Sequence, residues 1–211
     1  VTNPEFPPRG LYVITDSGLL PGDRLYQAVE EALLGGAEIV QYRNKESAPS
    51  QRLHEASRLQ EICSRFGKPL IINDDVALAA SCGAAGVHLG QSDGSVSEAR
   101  NGLGERAIIG VTCHGRLDLA QRAAKEGASY LAFGRFFASH TKPNAIPADL
   151  SVIAAAKQST GLPTVAIGGI NLDNAPQVLQ AGADFLAVIH GVFGQNDTQR
   201  RCEQFSTLFH S

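Results

Sequence analysis

Residues 69–93, PLIINDDVALAASCGAAGVHLGQSD, decide the fold. Residues 70–72 form a short apolar, β-branched run that stops at Asn73-Asp74-Asp75. Residues 76–81 are small and apolar, enough for a two-turn helix, and 86–89 form a second strand that runs into Gly90-Gln91-Ser92-Asp93. Strand, crossover helix and parallel strand bring both strand C-termini to one edge of a sheet. Asp74 and Asp93, 19 positions apart in the chain, are therefore expected side by side. Two carboxylates at such an edge suit a hard cation, Mg²⁺ with a substrate phosphate. Asp also fills a helix N-cap well, and from this stretch alone either role satisfies both residues.

Working outward, the same alternation repeats. Strands are expected at 11–15 (ending at Asp16), 38–42, 70–72, 86–89, 107–111 (ending at Thr112-Cys113-His114), 130–133, 164–167 (ending at Gly168-Gly169) and 185–189. Helical patterns fall at 23–34, 49–66, 76–81, 117–125, 148–158, 173–180 and 196–209, the first with Leu25, Ala28, Val29, Ala32 and Leu33 on one face. An internal echo supports the count. Gly36-Ala37, Gly83-Ala84, Gly127-Ala128 and Gly182-Ala183 each precede an even-numbered strand, at spacings of 47, 44 and 55 residues. In each, glycine ends a helix in a left-handed conformation and alanine lets the chain turn closely into the strand. Eight strands in mostly short alternation with helices predict a closed (β/α)8 TIM barrel, one α/β domain over 1–211 with 1–9 as an N-terminal extension. An open doubly wound sheet would want a GxGxxG turn after strand one, and SGLLPG (17–22) is not one.

Composition narrows the partners. At 211 residues and a net charge of −3, with Lys and Arg spread along the chain, nothing argues for nucleic acid or an anionic membrane surface. Cys63, Cys82, Cys113 and Cys202 stand alone, without ligand-like spacing, so zinc is not expected and most should be buried thiols. The polar, proline-rich start VTNPEFPPRG has no apolar core of a signal peptide, and no run reaches membrane-spanning length. A cytoplasmic protein is expected, with small-molecule partners and a homo-oligomer left open.

In a barrel the working groups sit at strand C-termini. After strand two come Gln41, Arg43 and Lys45, which share a side if the backbone stays extended. Asn73, Asp74 and Asp93 follow strands three and four, and Thr112 and His114 follow strand five. Arg135, Ser139, His140, Thr141 and Lys142 come after strand six, Gly168 and Gly169 after seven, His190 and Gly191 after eight. The set suits a substrate pair with two phosphate-bearing parts: acids for Mg²⁺, lysines as compact positive charge, hydroxyls and backbone N–H groups for further oxygens. Arg43 serves either substrate or a structural salt bridge, and Gly168-Gly169 either phosphate or a tight turn. His88, within strand four, reads as a hydrogen-bonded structural histidine; His54 and His210 read as surface. His114, His140 and His190 have no Ser or Cys partner that would make a triad.

At these residues the sequence resembles thiamine-phosphate synthase. LYVITD (11–16), QYRNK (41–45), INDD (72–75), GVHLGQSD (86–93), IIGVTCH (108–114), FGRFFASHTK (133–142) and AIGGI (166–170) carry the resemblance, in the family's order and spacing. It implies that Gln41, Lys45, Asn73, Thr112 and Lys142 contact a pyrimidine diphosphate, while Asp74 and Asp93 hold Mg²⁺. It implies further that Ser139, Thr141, Gly169, Ile189 and His190 contact a thiazole phosphate. Arg43 and His140 join the substrate-binding set by position, and Lys45, Thr112 and Lys142 are expected to carry catalysis by stabilising the departing diphosphate. The chain departs from the family's G-P-x-F-P-T-x-T-K loop by losing both prolines and placing Ser139 for threonine; Thr112 and His190 stand where serine is usual. A related thiazole tautomerase branch and a non-catalytic phosphometabolite-binding barrel are the competing readings. The paired acids and lysines speak against the tautomerase, which ionises no diphosphate.

Overall fold

β-branched and aromatic residues alternate along eight short strands, so each strand has one face for a barrel interior and one for a helix layer. The computed structural model describes residues 5–138 and 146–210. The strands are β1 (Gly10–Ile14), β2 (Ala37–Tyr42), β3 (Leu70–Asn73), β4 (Gly86–Leu89), β5 (Ile108–His114), β6 (Tyr130–Phe133), β7 (Thr164–Ile167) and β8 (Phe185–Val188). They pair in chain order, all parallel, and β8 closes on β1 from Gly10 opposite Phe185 to Val13 opposite Val188. The (β/α)8 barrel expected from the alternation is the observed fold.

Around it lie α1 (Arg24–Leu34), α2 (Pro49–Arg65), α3 (Val76–Cys82), α4 (Val96–Leu103), α5 (Leu117–Lys125), α6 (Ser151–Thr160), α7 (Ala175–Gln180), α8 (His190–Phe193) and α9 (Thr198–Thr207). Leu11, Val13, Val40, Val87 and Leu131 point outward onto the helices, while Tyr12, Ile39, Ile71, Tyr130 and Phe185 point inward and fill the barrel. Each fully buried Ile or Phe of the inner set contributes roughly 1.5–3 kcal/mol of burial. The glycine echo has the backbone expected of it: Gly36, Gly83, Gly127 and Gly182 have φ of 92°, 69°, 90° and 99°. Gly110 serves space instead. A Cβ there would stand 2.0 Å from Tyr130 Cζ, so only glycine lets the Tyr130 ring cross the barrel.

Three elements differ from the sequence reading. α4 was not expected, although Ser95 and Glu98 form a complete capping box: the Ser95 hydroxyl accepts from Glu98 N (3.1 Å) and the Glu98 carboxylate from Ser95 N (2.9 Å). β8 stops at Val188 because Ile189 turns to φ −110°, ψ −85°, and His190 opens α8, a single turn too short to show a period. β5 continues through the irregularity between Thr112 and His114, where His114 takes φ 52°. Among residues 1–9, Phe6 stacks on Tyr130 (centroids 5.2 Å, planes 8° apart) and lies 5.1 Å from Phe185. Tyr130 and Phe185 begin their strands, so Phe6 packs at the barrel floor, opposite the strand C-termini. The four cysteines are free and three are buried; burial pushes the Cys63 thiol up to about 12.

Candidate active site

Two cavities adjoin at the C-terminal rim, and Asn73 lines both. The central one, about 420 Å³, opens over the barrel axis between Gln41, Arg43, Thr112, Gly169, Ile189 and His190. The other, about 480 Å³, lies to one side between Lys45, Arg52, Asp74, Asp75 and Asp93.

The side cleft decides between the two roles open to the acids. Helix α3 is capped by Asp75, whose Oδ1 accepts from Leu78 N at 2.8 Å while its Oδ2 accepts from Arg52 Nη2 at 2.8 Å. Helix α4 is capped by Ser95. Neither Asp74 nor Asp93 is therefore an N-cap. β3 and β4 run side by side with Asn73 opposite His88, and Asp74 N donates to His88 O at 2.8 Å. Asp74 itself takes φ 65°, a conformation that few residues other than glycine adopt. Its carboxylate lies 2.7 Å from Lys45 Nζ and lines the same cleft as that of Asp93. Burial pushes the Asp74 carboxyl up, but the adjacent Lys45 ammonium and its polar neighbours outweigh it, holding the group below the usual carboxylate range. Asp93 is held by its own loop, with Oδ2 accepting from Gly90 N at 2.9 Å.

This donor set fits Mg²⁺. Two hard carboxylates, Asp74 and Asp93, line one cleft, and among the described residues they are not joined by a third His, Cys, Asp or Glu in a metal-holding group. Mg²⁺ is bound in just this way, through one or two carboxylates with the other positions taken by water and substrate phosphate.

Gln41, within β2, and Arg43 and Lys45, after it, do not share one side. The chain leaves strand geometry after Tyr42, so Gln41 and Arg43 line the central cavity while Lys45 turns to Asp74 in the side cleft. Both readings of Arg43 find some support: it lines the cavity, and its Nη1 lies 3.9 Å from Asp16 Oδ2, a distant ion pair. Gly168 (φ 103°) and Gly169 (φ 65°) make the turn after β7, and a Cβ on Gly169 would stand 2.2 Å from Ala138 O. That pair thus provides both the tight turn and a close seat for the loop after β6. His190 begins α8 on the same rim, exposed, where barrel phosphate sites use a short extra helix. His114 is exposed on the rim too. Ser139, His140, Thr141 and Lys142 lie outside the described residues.

Beneath the central cavity runs a chain of buried hydrogen bonds that the strand-end inventory did not contain. Gln41 Nε2 donates to Tyr12 OH (2.8 Å), and the Tyr12 and Tyr130 hydroxyls bond at 2.8 Å. Tyr130 OH meets His88 Nδ1 (2.9 Å), and His88 Nε2 meets Thr112 Oγ1 (2.8 Å). Burial raises the pKa of both phenols, which keeps them protonated. His88 is hydrogen-bonded as expected, but to a residue of the site. Strand parity carried the missing signal, since Tyr12, Gln41, His88, Thr112 and Tyr130 all occupy inward positions of their strands.

Known proteins resemble this chain along almost its whole length. A family model described as thiamine monophosphate synthase matches residues 11–192. The thiamine-phosphate synthase of Alcanivorax borkumensis is 53% identical over 203 residues, covering 95% of this chain and 94% of the relative. That of Marinobacter nauticus is 54% identical over 202 residues, covering 95% and 90%. A solved structure of thiamine phosphate pyrophosphorylase from Pyrococcus furiosus superposes with a TM-score of 0.85 at 34% identity, over 95% of each chain. With the barrel closed and the paired acids at its rim, the agreement is one of sequence and fold together, and the chain belongs to the thiamine monophosphate synthase family.

Proposed function

We propose that this site joins 4-amino-2-methyl-5-hydroxymethylpyrimidine diphosphate to a hydroxyethylthiazole phosphate, carboxylated or not, giving thiamine phosphate and diphosphate. The observation that carries the reading is the convergence of Asp74, Asp93 and Lys45 in a cleft adjoining a central cavity, with Asn73 on the boundary. In this assignment the diphosphate lies in the side cleft and the pyrimidine ring enters the central cavity beside Gln41 and Thr112. The thiazole phosphate sits against Gly169, Ile189 and His190, with Arg43 at the cavity wall. Ser139, His140, Thr141 and Lys142, on the loop after β6, complete the substrate-binding set.

The C–O bond between the pyrimidine methylene and the diphosphate breaks with its electron pair leaving on oxygen. The electron-rich aminopyrimidine carries the resulting positive charge, and the thiazole nitrogen lone pair then forms the new C–N bond. No proton needs to move and no covalent enzyme intermediate is required. The chain's contribution is orientation and electrostatic stabilisation of the leaving group. Lys45 and Lys142 place ammonium charge on the diphosphate, and Thr112 offers a hydroxyl to it. Asp74 and Asp93 would hold Mg²⁺, which when bound supplies Lewis-acid neutralisation of diphosphate charge.

A net charge of −3 without a basic stripe supports small-molecule partners rather than nucleic acid. Among the described residues no helix is long and apolar enough to cross a membrane, and we assign the enzyme to the cytoplasm as one domain over 1–211, whose residues 1–9 form an N-terminal extension. The test is incubation with both substrates, with and without Mg²⁺, following diphosphate release and product mass. Metal-dependent release with formation of thiamine phosphate supports the reading. Thiazole isomerisation without diphosphate release, or binding without turnover, overturns it.

A further inference from the structure

The chain of hydrogen bonds under the central cavity begins and ends on residues that line it, Gln41 and Thr112, and its direction can be argued from its one fixed donor. An amide NH2 group only donates, so Gln41 Nε2 gives a proton to the Tyr12 oxygen (2.8 Å). Either hydroxyl can donate in the Tyr12–Tyr130 contact, but with Gln41 donating to Tyr12 the direction that gives every buried hydroxyl proton an acceptor runs from Tyr12 to Tyr130 and from Tyr130 to His88 Nδ1. A neutral imidazole whose Nδ1 accepts carries its proton on Nε2, which points at Thr112 Oγ1, 2.8 Å away. The Thr112 oxygen is thereby occupied as an acceptor and its own O–H remains for the cavity. At the other end the Gln41 carbonyl oxygen remains as an acceptor.

We propose that Tyr12, Tyr130 and His88 are positioning residues that lock Gln41 and Thr112 in one hydrogen-bond polarity. Gln41 then faces the cavity as an acceptor, matched to an exocyclic amine on an aromatic ring. Thr112 faces it as a donor, matched to an anionic oxygen of a leaving phosphate. Reversing the polarity would turn all five groups at once, and the substrate would meet an amide donor and a hydroxyl acceptor, both mismatched. The five groups therefore act as one unit, because hydrogen bonds in series in a low-dielectric interior reinforce one another. Gly110 keeps the unit possible by leaving room for the Tyr130 ring. This inference deepens the synthase reading and rests on it for the identity of the two ligand groups.

The test combines ¹⁵N NMR of the histidine rings with kinetics of Tyr130→Phe, Thr112→Val, the double variant and Thr112→Ser. In the wild-type protein the His88 ring is expected as the Nε2–H tautomer, and Tyr130→Phe is expected to lose that single tautomer. Tyr130→Phe should lower kcat by about tenfold, within the roughly hundredfold range that misplacement at a reacting site produces, with KM for the thiazole partner unchanged. Thr112→Ser should retain most of the rate. Adding Tyr130→Phe to Thr112→Val should cost less than about threefold more, since the unit is already cut. Independent, multiplicative losses, or a wild-type Nδ1–H tautomer, overturn the proposal. If Tyr130→Phe does not fold, Tyr12→Phe is read by the same criteria. Wild-type protein that releases no diphosphate would sink the synthase reading, while the tautomer measurement would still judge the polarity.

Discussion

Replacing Gly90 by alanine displaces Asp93, a proposed Mg²⁺ ligand, without deleting it. A Cβ at position 90 stands 2.4 Å from Asp93 Oδ2, inside the 3.0 Å that Cβ atoms keep from other heavy atoms, so the carboxylate must retreat by at least about 0.6 Å. Gly90 is outside the left-handed region, so alanine suits its backbone. What gives way is the far end of one side chain, together with the 2.9 Å bond from Gly90 N that orients it. Loss of that bond to a carboxylate costs at most about 3 kcal/mol, or roughly 6–12 °C in Tm for a chain of this size. At the metal, disturbing a group that orients a ligand typically costs about 10–100-fold in metal affinity. Initial rates of diphosphate release, measured against Mg²⁺ at saturating substrates, should therefore show half-saturation shifted up by about 10–100-fold. The variant should still fold with a cooperative melt. A wild-type Mg²⁺ profile in Gly90→Ala would refute the reasoning, since a ligand cannot be moved this far without loss.

Three further outcomes follow from neighbouring geometry. Asp75→Ala removes both the N-cap and the Arg52 ion pair and should cost about 1–2 kcal/mol, or about 2–8 °C in Tm, and leave the Mg²⁺ profile unchanged; a raised Mg²⁺ requirement there would make Asp75 the ligand. His190→Ser should change KM for the thiazole phosphate by about two- to tenfold with kcat preserved, and a fall in kcat alone would give that imidazole a part in the chemistry. Phe6→Ala should lower stability by about 2–3 kcal/mol in urea unfolding, less than the loss from a fully buried Phe because the ring is only half-buried; an unchanged midpoint would show that Phe6 does not support the barrel floor.

The barrel was legible because its signals are local and periodic. Apolar runs end in Gly or Asp, and each Gly-Ala pair marks a helix turning into an even strand. The adjacency of Asp74 and Asp93 followed from the handedness of one βαβ unit, and the structure has that adjacency. Which aspartate caps α3 was not legible, since Asp74 and Asp75 are adjacent and identical, and only φ 65° at Asp74 separates their roles. Helix α4 was legible and missed: the Ser95 and Glu98 pair was in view three residues apart. Lys45 required knowing that the chain bends after Tyr42, which no side-chain period encodes. The Tyr12, Tyr130 and His88 series lies furthest from sequence reasoning. Parity places each group inward, but partners 42 and 118 positions apart meet only once the barrel closes.

Everything in the proposed reaction depends on one divalent ion held between β3 and β4. The most direct measurement is anomalous diffraction from crystals soaked with Mn²⁺ and diphosphate. The account predicts a single strong peak between the Asp74 and Asp93 carboxylates, bridged to a diphosphate oxygen and lost in Asp93→Asn crystals. A peak elsewhere on the rim, or diphosphate bound at the rim with no metal between those two residues, would contradict it.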